Sequence, residues 1–278
     1  VGLDLGFFNN RLNLTADAYI RDTKGMQTSG KKLPGAYGAN EPKQNAANLR
    51  TKGWELMLTW NDAFKLANKP FRYNLSVGLA DNTSEITKFD NPSKILSDYY
   101  VGQKLGDIWG YVVDGLFRTD EEAASYNIDQ SAVNFVINTA QVNPGLHAGD
   151  VKFIDLDGDH KISSGSNTAD DPGDRKIIGN SLPRYTYSIQ GGFDWYGFDF
   201  SIYLQGVGHQ DWYPGTNSVF FWGPYARPYS SFIPRDFLSN VWSPENPDAY
   251  FPRPIGYLAL GNNRSLGVVN DRYLQNLA

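Results

Sequence analysis

The stretch that decides the fold is YTYSIQGGFDWYGFDFSIYLQG, residues 185–206. Taken two residues at a time, it separates into two faces. Tyr185, Tyr187, Ile189, Phe193 and Trp195 fall on one, continued past a break by Phe198, Phe200, Ile202 and Leu204. Thr186, Ser188, Gln190 and Asp194 fall on the other, with Asp199, Ser201, Tyr203 and Gln205. A period of two belongs to a β-strand, and Tyr196-Gly197 is placed to turn the chain into a hairpin. Each arm has about ten residues, the length of a tilted strand that crosses a bilayer. Rings gather at the ends of the apolar face, where a membrane interface would lie.

The same pattern recurs twice upstream. Leu3, Leu5 and Phe7 alternate with Asp4 and Gly6, and Asn9-Asn10 tolerates the positive φ of a tight turn. Leu12, Leu14, Ala16, Ala18 and Ile20 then oppose Asn13, Thr15, Asp17 and Tyr19. In the second case Trp54, Leu56, Leu58 and Trp60 oppose Gly53, Glu55, Met57 and Thr59. A connection over 61–70 leads to Phe71, Tyr73, Leu75, Val77 and Leu79, which face away from Arg72, Asn74, Ser76 and Gly78. Between and after the hairpins the alternation lapses, over 23–47, 81–184 and 207–272. Thr119 and Glu122 have the capping-box spacing that starts a helix, here over 121–126. Tyr273 is expected to open a seventh strand.

The expectation is an all-β chain, a partial antiparallel transmembrane β-barrel of about six strands. Its hairpins lie over about 2–22, 48–80 and 185–206, with long loops between. Short turns on one side and long loops on the other mark outer-membrane barrels, whose long loops face outward. A water-soluble sandwich is the rival. It would have to bury each large apolar side chain, worth about 1.5–3 kcal/mol apiece, against a second sheet that the loops do not supply. The opposite face carries Asp17, Glu55, Arg72, Asn74, Gln190, Asp194 and Gln205, too polar for a dry core and suited to a wet or plugged lumen.

Composition narrows the classes. The 278 residues contain no cysteine, which excludes disulfides, Cys-based zinc sites and thiol nucleophiles. A net charge of −5 argues against nucleic acid. No apolar run is long enough for a spanning helix. VGLDLGFFNN reads as mid-strand and lacks the basic start of a secretion signal, and DRYLQNLA stops without a turn, so a longer chain is expected.

Six segments, in order, carry a family resemblance: RLNLTADAYIRDTKGM (11–26), NLRTKGWELMLTW (48–60), GDIWGYVVDGLFRTDEE (106–122), GDVKFIDLDGDHKI (149–162), DRKIIGNSLPRYTYSIQGGFDWYGFDFSIYLQG (174–206) and DRYLQNLA (271–278). The chain resembles the C-terminal barrel region of SusC/RagA-type TonB-linked outer-membrane transporters of Gram-negative bacteria. The resemblance implies a barrel of about 22 strands with an upstream plug, and energy drawn through the TonB complex. It also implies a SusD-like surface lipoprotein over the mouth, and an oligosaccharide or peptide as the imported nutrient. The implied work is binding and passage, without catalysis. Two other functions stay open on the residues themselves, a soluble calcium-dependent carbohydrate-binding sandwich and a surface glycan hydrolase.

Two stretches invite a site. DLDGDHKIS (155–163) spaces Asp155, Asp157 and Asp159 like positions 1, 3 and 5 of a calcium loop, with Ile162 at the apolar position 8. His160 stands where that loop wants Gly, and Ser166 where it wants a closing acid. The family pattern implies a later acid, for which Asp174 is the match. A solvated Asx-turn loop is the alternative. The second stretch, 212–229, holds Trp212, Tyr213, Phe220, Phe221, Trp222, Tyr225 and Tyr229. Of these Trp212, Tyr213, Phe221, Trp222 and Tyr225 are the candidate substrate contacts, since flat rings stack on sugar faces. Packing against each other or against a partner is the alternative. His147, His160 and His209 are too scattered for a metal set, and neither HExxH nor GxSxG occurs.

Overall fold

The computed structural model describes residues 1–29, 38, 42–133, 145–216, 218–226, 233–254 and 265–278. Its frame is one antiparallel sheet of six strands: β1 (Gly2–Phe7), β2 (Leu12–Ser29), β3 (Lys43–Leu66), β4 (Lys69–Lys88), β9 (Arg184–Trp195) and β10 (Phe198–His209). They pair in chain order, β1-β2-β3-β4-β9-β10. The three hairpins of the sequence are therefore neighbours, and β1 and β10 are the outer strands. Left-handed residues make the turns, Tyr196 (φ 50°) and Gly197 (φ 84°) in the third hairpin.

The second hairpin differs from the expected connection over 61–70. Both strands continue through it, and only Ala67 and Asn68, at φ 49° and 61°, form the turn. Phe64 and Phe71 hold the extension together, their ring centroids 5.0 Å apart. Both ends of the expected loop 23–47 are strand, over 23–29 and 43–47. β2 runs 18 residues and β3 runs 24, paired up to Ser29 and Lys43. Gly25, at φ 67°, takes up the register shift between Thr23 and Met26. Past the apolar band both faces meet polar surroundings, so the alternation fades while backbone pairing goes on.

Register assembles the faces. Leu5, Leu14, Leu58, Val77, Ile189 and Leu204 lie in one cross-strand row. Nothing of the described chain covers this face: Leu58 is 41% exposed, Leu75 46% and Phe200 52%. From Trp54 to Phe64 the apolar rows span about ten residues, roughly 33 Å of strand or about 25 Å at a 40° tilt, the height of a membrane band. At its short-turn end the rings Phe64, Phe71, Phe193 and Phe200 form a ladder across four strands, with successive centroids 5.0–5.4 Å apart.

Buried core exists elsewhere. The segments between and after the hairpins carry three two-stranded sheets. β5 (Asp107–Tyr111) pairs β8 (Arg175–Asn180), β6 (Val113–Leu116) pairs β7 (Val151–Phe153), and β11 (Asp211–Trp212) pairs β12 (Gln275–Asn276). The expected seventh strand thus starts at Gln275 and lies beside the continuation of β10, whereas Tyr273 belongs to a 3-10 turn and is fully buried. The predicted helix is α1 (Asp120–Ser125), capped by Thr119 Oγ1 accepting from the Glu122 N–H at 3.1 Å.

Two buried clusters fill these segments, which together form the cap. One holds Trp222, Tyr225, Val241, Leu266 and Tyr273, the other Tyr111, Leu116, Val133, Val151, Phe153 and Ile162. The segments 81–184 and 207–272 interlock within it. The Tyr111 N–H donates to Val269 O at 2.9 Å, and the Val113 N–H donates to Asp271 Oδ1 at 2.9 Å. Arg253 Nε donates to the buried Asp150 carboxylate at 2.6 Å. No helix among the described residues is long and apolar enough to cross a membrane, which says nothing of crossing by strands.

Candidate functional site

The polar face of the sheet is concave. Two hollows open on it, of about 770 and about 620 Å3. The first is lined by Thr15, Asp17, Glu55, Ser188, Tyr203 and Gln205, the second by Asn61, Arg72, Asn74, Gln190, Asp194 and Asp199, among others. The split follows from β geometry alone: one parity of each strand meets the hollow, the other the exposed apolar band. A row of carboxylates, amides and hydroxyls facing inward can hydrogen-bond a polar solute that passes along it. Tyr203, on the polar face by its parity, was not among the candidate contacts. It is 59% exposed, and its ring is set along the strand by Oη donating to Gln205 Oε1 at 3.2 Å. The available signal was its parity, a large ring on the polar register of β10.

The aromatic candidates have a different setting. α2 (Val219–Trp222) and the following turn bring Trp222 and Tyr225 to 1% exposure, at the centre of a core. Phe221 packs edge-on to Trp222 at 4.8 Å. Tyr213 donates to Val268 O at 2.8 Å, and burial pushes its hydroxyl pKa far up. Trp222 and Tyr225 present no ring face to a ligand, and Tyr213 and Phe221 are partly covered. This corrects the expectation for Trp222 and Tyr225, which are buried in the core, with Tyr213 and Phe221 half-buried against them. Trp212 keeps 40% of its surface and Phe220, outside the five, 90%. Tyr229 lies outside the described residues.

The acidic loop closes on itself through side chain–backbone bonds, as both the calcium-loop and the Asx-turn readings expect. Asp155 accepts from the Gly158 N–H at 2.6 Å and the His160 N–H at 2.8 Å, and Asp159 from the Lys161 N–H at 2.8 Å. His160 takes φ 64°, so position 6 makes its sharp turn without glycine. Carboxylate oxygens of Asp155, Asp157 and Asp159 lie within 4.8 Å of one another. Two oxygens each roughly 2.4 Å from one cation stand no farther apart than that, so the donor set fits calcium. Desolvation works to raise the Asp155 pKa, but the two N–H donors outweigh it and hold the group below its usual range. For Asp157 the Asp159 N–H works downward, yet desolvation and the carboxylates of Asp174, Asp159 and Asp155 leave it raised. Asp174 has another part to play. Fully buried, it accepts from the Leu156 and Ser163 N–H groups, both at 2.7 Å, and so ties the two ends of the loop together. Ile162, fully buried, anchors the loop in the second cluster.

No family profile matches the chain. Among curated proteins it is similar to TonB-dependent receptor P39 of Formosa agariphila, 27% identical over 224 residues, which cover 72% of this chain and 20% of that protein. TonB-dependent receptor P3 of the same organism is 24% identical over 268 residues, 91% of this chain and 24% of that protein. The chain thus spans about a fifth to a quarter of the relatives it matches. Among solved structures, the RagAB peptide importer in its open-open state covers 99% of this chain at a TM-score of 0.62 and 17% identity, using 26% of its own chain. The RagAB peptide transporter covers 91% at a TM-score of 0.58 and 18% identity, using 25% of its chain. Sequence and fold agree: the chain is similar to TonB-dependent receptors in sequence and shares the fold of the RagAB transporters' outer-membrane barrel, as an unclosed stretch of wall with its loops.

Proposed function

We propose that this chain forms part of the wall and outer mouth of a TonB-dependent nutrient importer, through which an oligosaccharide or a short peptide passes. The observation that supports this most is the single-layered sheet, apolar and uncovered outside, polar and concave inside. Its work is to bind and conduct, with no covalent step. A SusD-like lipoprotein seated over the cap and the TonB complex are the proposed partners. The direct test deletes the whole receptor from its native host and supplies oligosaccharides or oligopeptides as the only nutrient. Growth should fail on one of the two. Unimpaired growth on both, or a receptor found in the soluble fraction, would overturn the reading. Purifying the tagged receptor from outer membranes should bring a lipoprotein with it.

We also propose that Asp155, Asp157 and Asp159 hold a calcium ion that stiffens the cap. Protease protection of the cap in the intact receptor should rise with added calcium, and neutralising Asp157 and Asp159 to Asn should abolish the rise. Protection indifferent to calcium would refute it.

A further inference from the structure

The hollow of about 770 Å3 on the concave wall has an uneven chemistry. On one flank Asp17 and Glu55 stand directly opposite each other across β2 and β3. Like charges in such a pair repel, their Cβ atoms being about 4.5–5.5 Å apart. Neither has an ion-pair or hydrogen-bond partner among the described residues. Their cross-strand row continues as Gly2, Ala80, Thr186 and Val207, and the rows beside it bring Asp4, Thr15, Met57, Gly78, Ser188 and Gln205 below and Tyr19, Gly53 and Asn82 above. Beyond Thr186 and Val207 the β9–β10 pair continues to Arg184 and His209, but the Arg184 guanidinium is held by Asp81 and His209 Nε2 lies 2.9 Å from Asp211, so neither is paired with Asp17 or Glu55. Asp4 adds a third carboxylate, which accepts from Thr15 Oγ1 at 2.7 Å. On the other flank lies the open ring of Tyr203. The floor is kept low by Gly78, where a side chain would run into Ser188 Oγ at 2.8 Å and Met57 Cε at 3.4 Å. Three strand spacings across the sheet and four residues along β10 separate Glu55 from Tyr203, about 19 Å between their backbone positions.

Two facing carboxylates, which only accept hydrogen bonds and have no cation beside them, favour a ligand group that donates and carries positive charge. An aromatic face across the hollow favours a flat or apolar unit farther along the same molecule. We propose that this hollow is a subsite for a cationic group of the passing substrate, an ammonium or guanidinium held by Asp17 and Glu55, with a unit farther along the substrate packed on Tyr203. The inference rests on the concave face being the conducting lumen. Its source is a basic peptide or an amino sugar, which share this chemistry, and it disfavours sulfated or uronic oligomers.

The test uses the complete receptor in its native outer membrane. Uptake of labelled tetrapeptides of equal length, one with two lysines, one neutral and one with two glutamates, is compared with uptake of glucosamine and glucose tetramers. The wild type should prefer a cationic member of at least one series by about tenfold over its neutral counterpart. Asp17→Asn with Glu55→Gln should erase that preference, the ratio of cationic to neutral uptake falling from about tenfold to within about twofold of unity. Tyr203→Leu should weaken the cationic probe of the same series. Outer-membrane abundance and heat-modifiability of each variant report folding separately. Which series responds identifies the source. A wild type that carries neutral or acidic oligomers better than cationic ones overturns the subsite while the importer stands, and so does a double variant that keeps the preference. A wild type that carries none of the probes, in a host unaffected by loss of the receptor, overturns the importer reading itself.

Discussion

In the sheet, large apolar side chains lie uncovered and the polar ones face a hollow. In the cap, a few strands apart, Trp222, Phe153 and Ile162 are buried as in a water-soluble domain. One chain thus follows two opposite rules. The cap must hide its apolar surface within itself, because water surrounds it. The wall has no second layer to hide in, so its solvent has to be hydrocarbon. Exposure therefore means different things at different heights, and the same substitution should have opposite consequences in the two regions.

The largest effect is expected in the cap. Phe153 is fully buried and packs edge-on to Tyr111, with ring centroids 5.9 Å apart. Phe153→Ala should cost about 3–5 kcal/mol of local stability. Hydrogen exchange on the intact receptor should then show faster exchange over 107–116 and 150–162 with the wall strands unchanged. Equal loosening of the wall would mean that the two regions form one cooperative unit, and the contrast drawn above would fail.

In the wall the informative pair is Leu58 and Thr59, neighbours of opposite parity. Leu58 is 41% exposed. By the rules of a soluble surface, arginine there would be nearly neutral. In the middle of a lipid-facing band it should cost about 2–4 kcal/mol, whereas arginine at Thr59, on the hollow side, should cost far less. Outer-membrane abundance and urea resistance of the Leu58→Arg and Thr59→Arg receptors measure the difference. Indistinguishable variants would remove the argument for lipid on that face.

This contrast also explains what the sequence made legible. Leu58, Val77, Ile189 and Leu204 could be read because a wall between two different solvents must alternate. Their row in the structure is the row the spacing implies. The strand ends at Ser29 and Lys43 were not legible, since no apolar partner marks a strand that rises out of the band. Rings such as Trp222 and Tyr225 look the same in sequence whether they wait for a sugar or fill a core. Only contacts with Leu266 and Tyr273, some fifty residues away, decide it. The same holds for Asp174, whose two N–H donors are eighteen and eleven residues distant. Asp155, Asp157 and Asp159 were legible because their geometry is local.

The smallest effect sharpens the comparison at a purely local feature of the cap. Thr119→Ala removes the acceptor of the Glu122 N–H and should cost about 1 kcal/mol. Glu122 answers by accepting from the Arg118 N–H at 2.8 Å, and that bond, followed by the opposing desolvation and the Lys152 ammonium, leaves its pKa below the usual glutamate range. A depressed carboxylate stabilises fully above its unfolded value, about pH 4.3, and loses that contribution as pH falls through the lower folded value. Exchange at 120–125 in the wild type should therefore stay protected at pH 5 and loosen below about pH 4, after correction for intrinsic rates. In Glu122→Gln the step should vanish. The wall strands, whose protection comes from ladder hydrogen bonds, should show no step in that interval. If they loosen together with α1, cap and wall share their acid response and the boundary between them lies elsewhere.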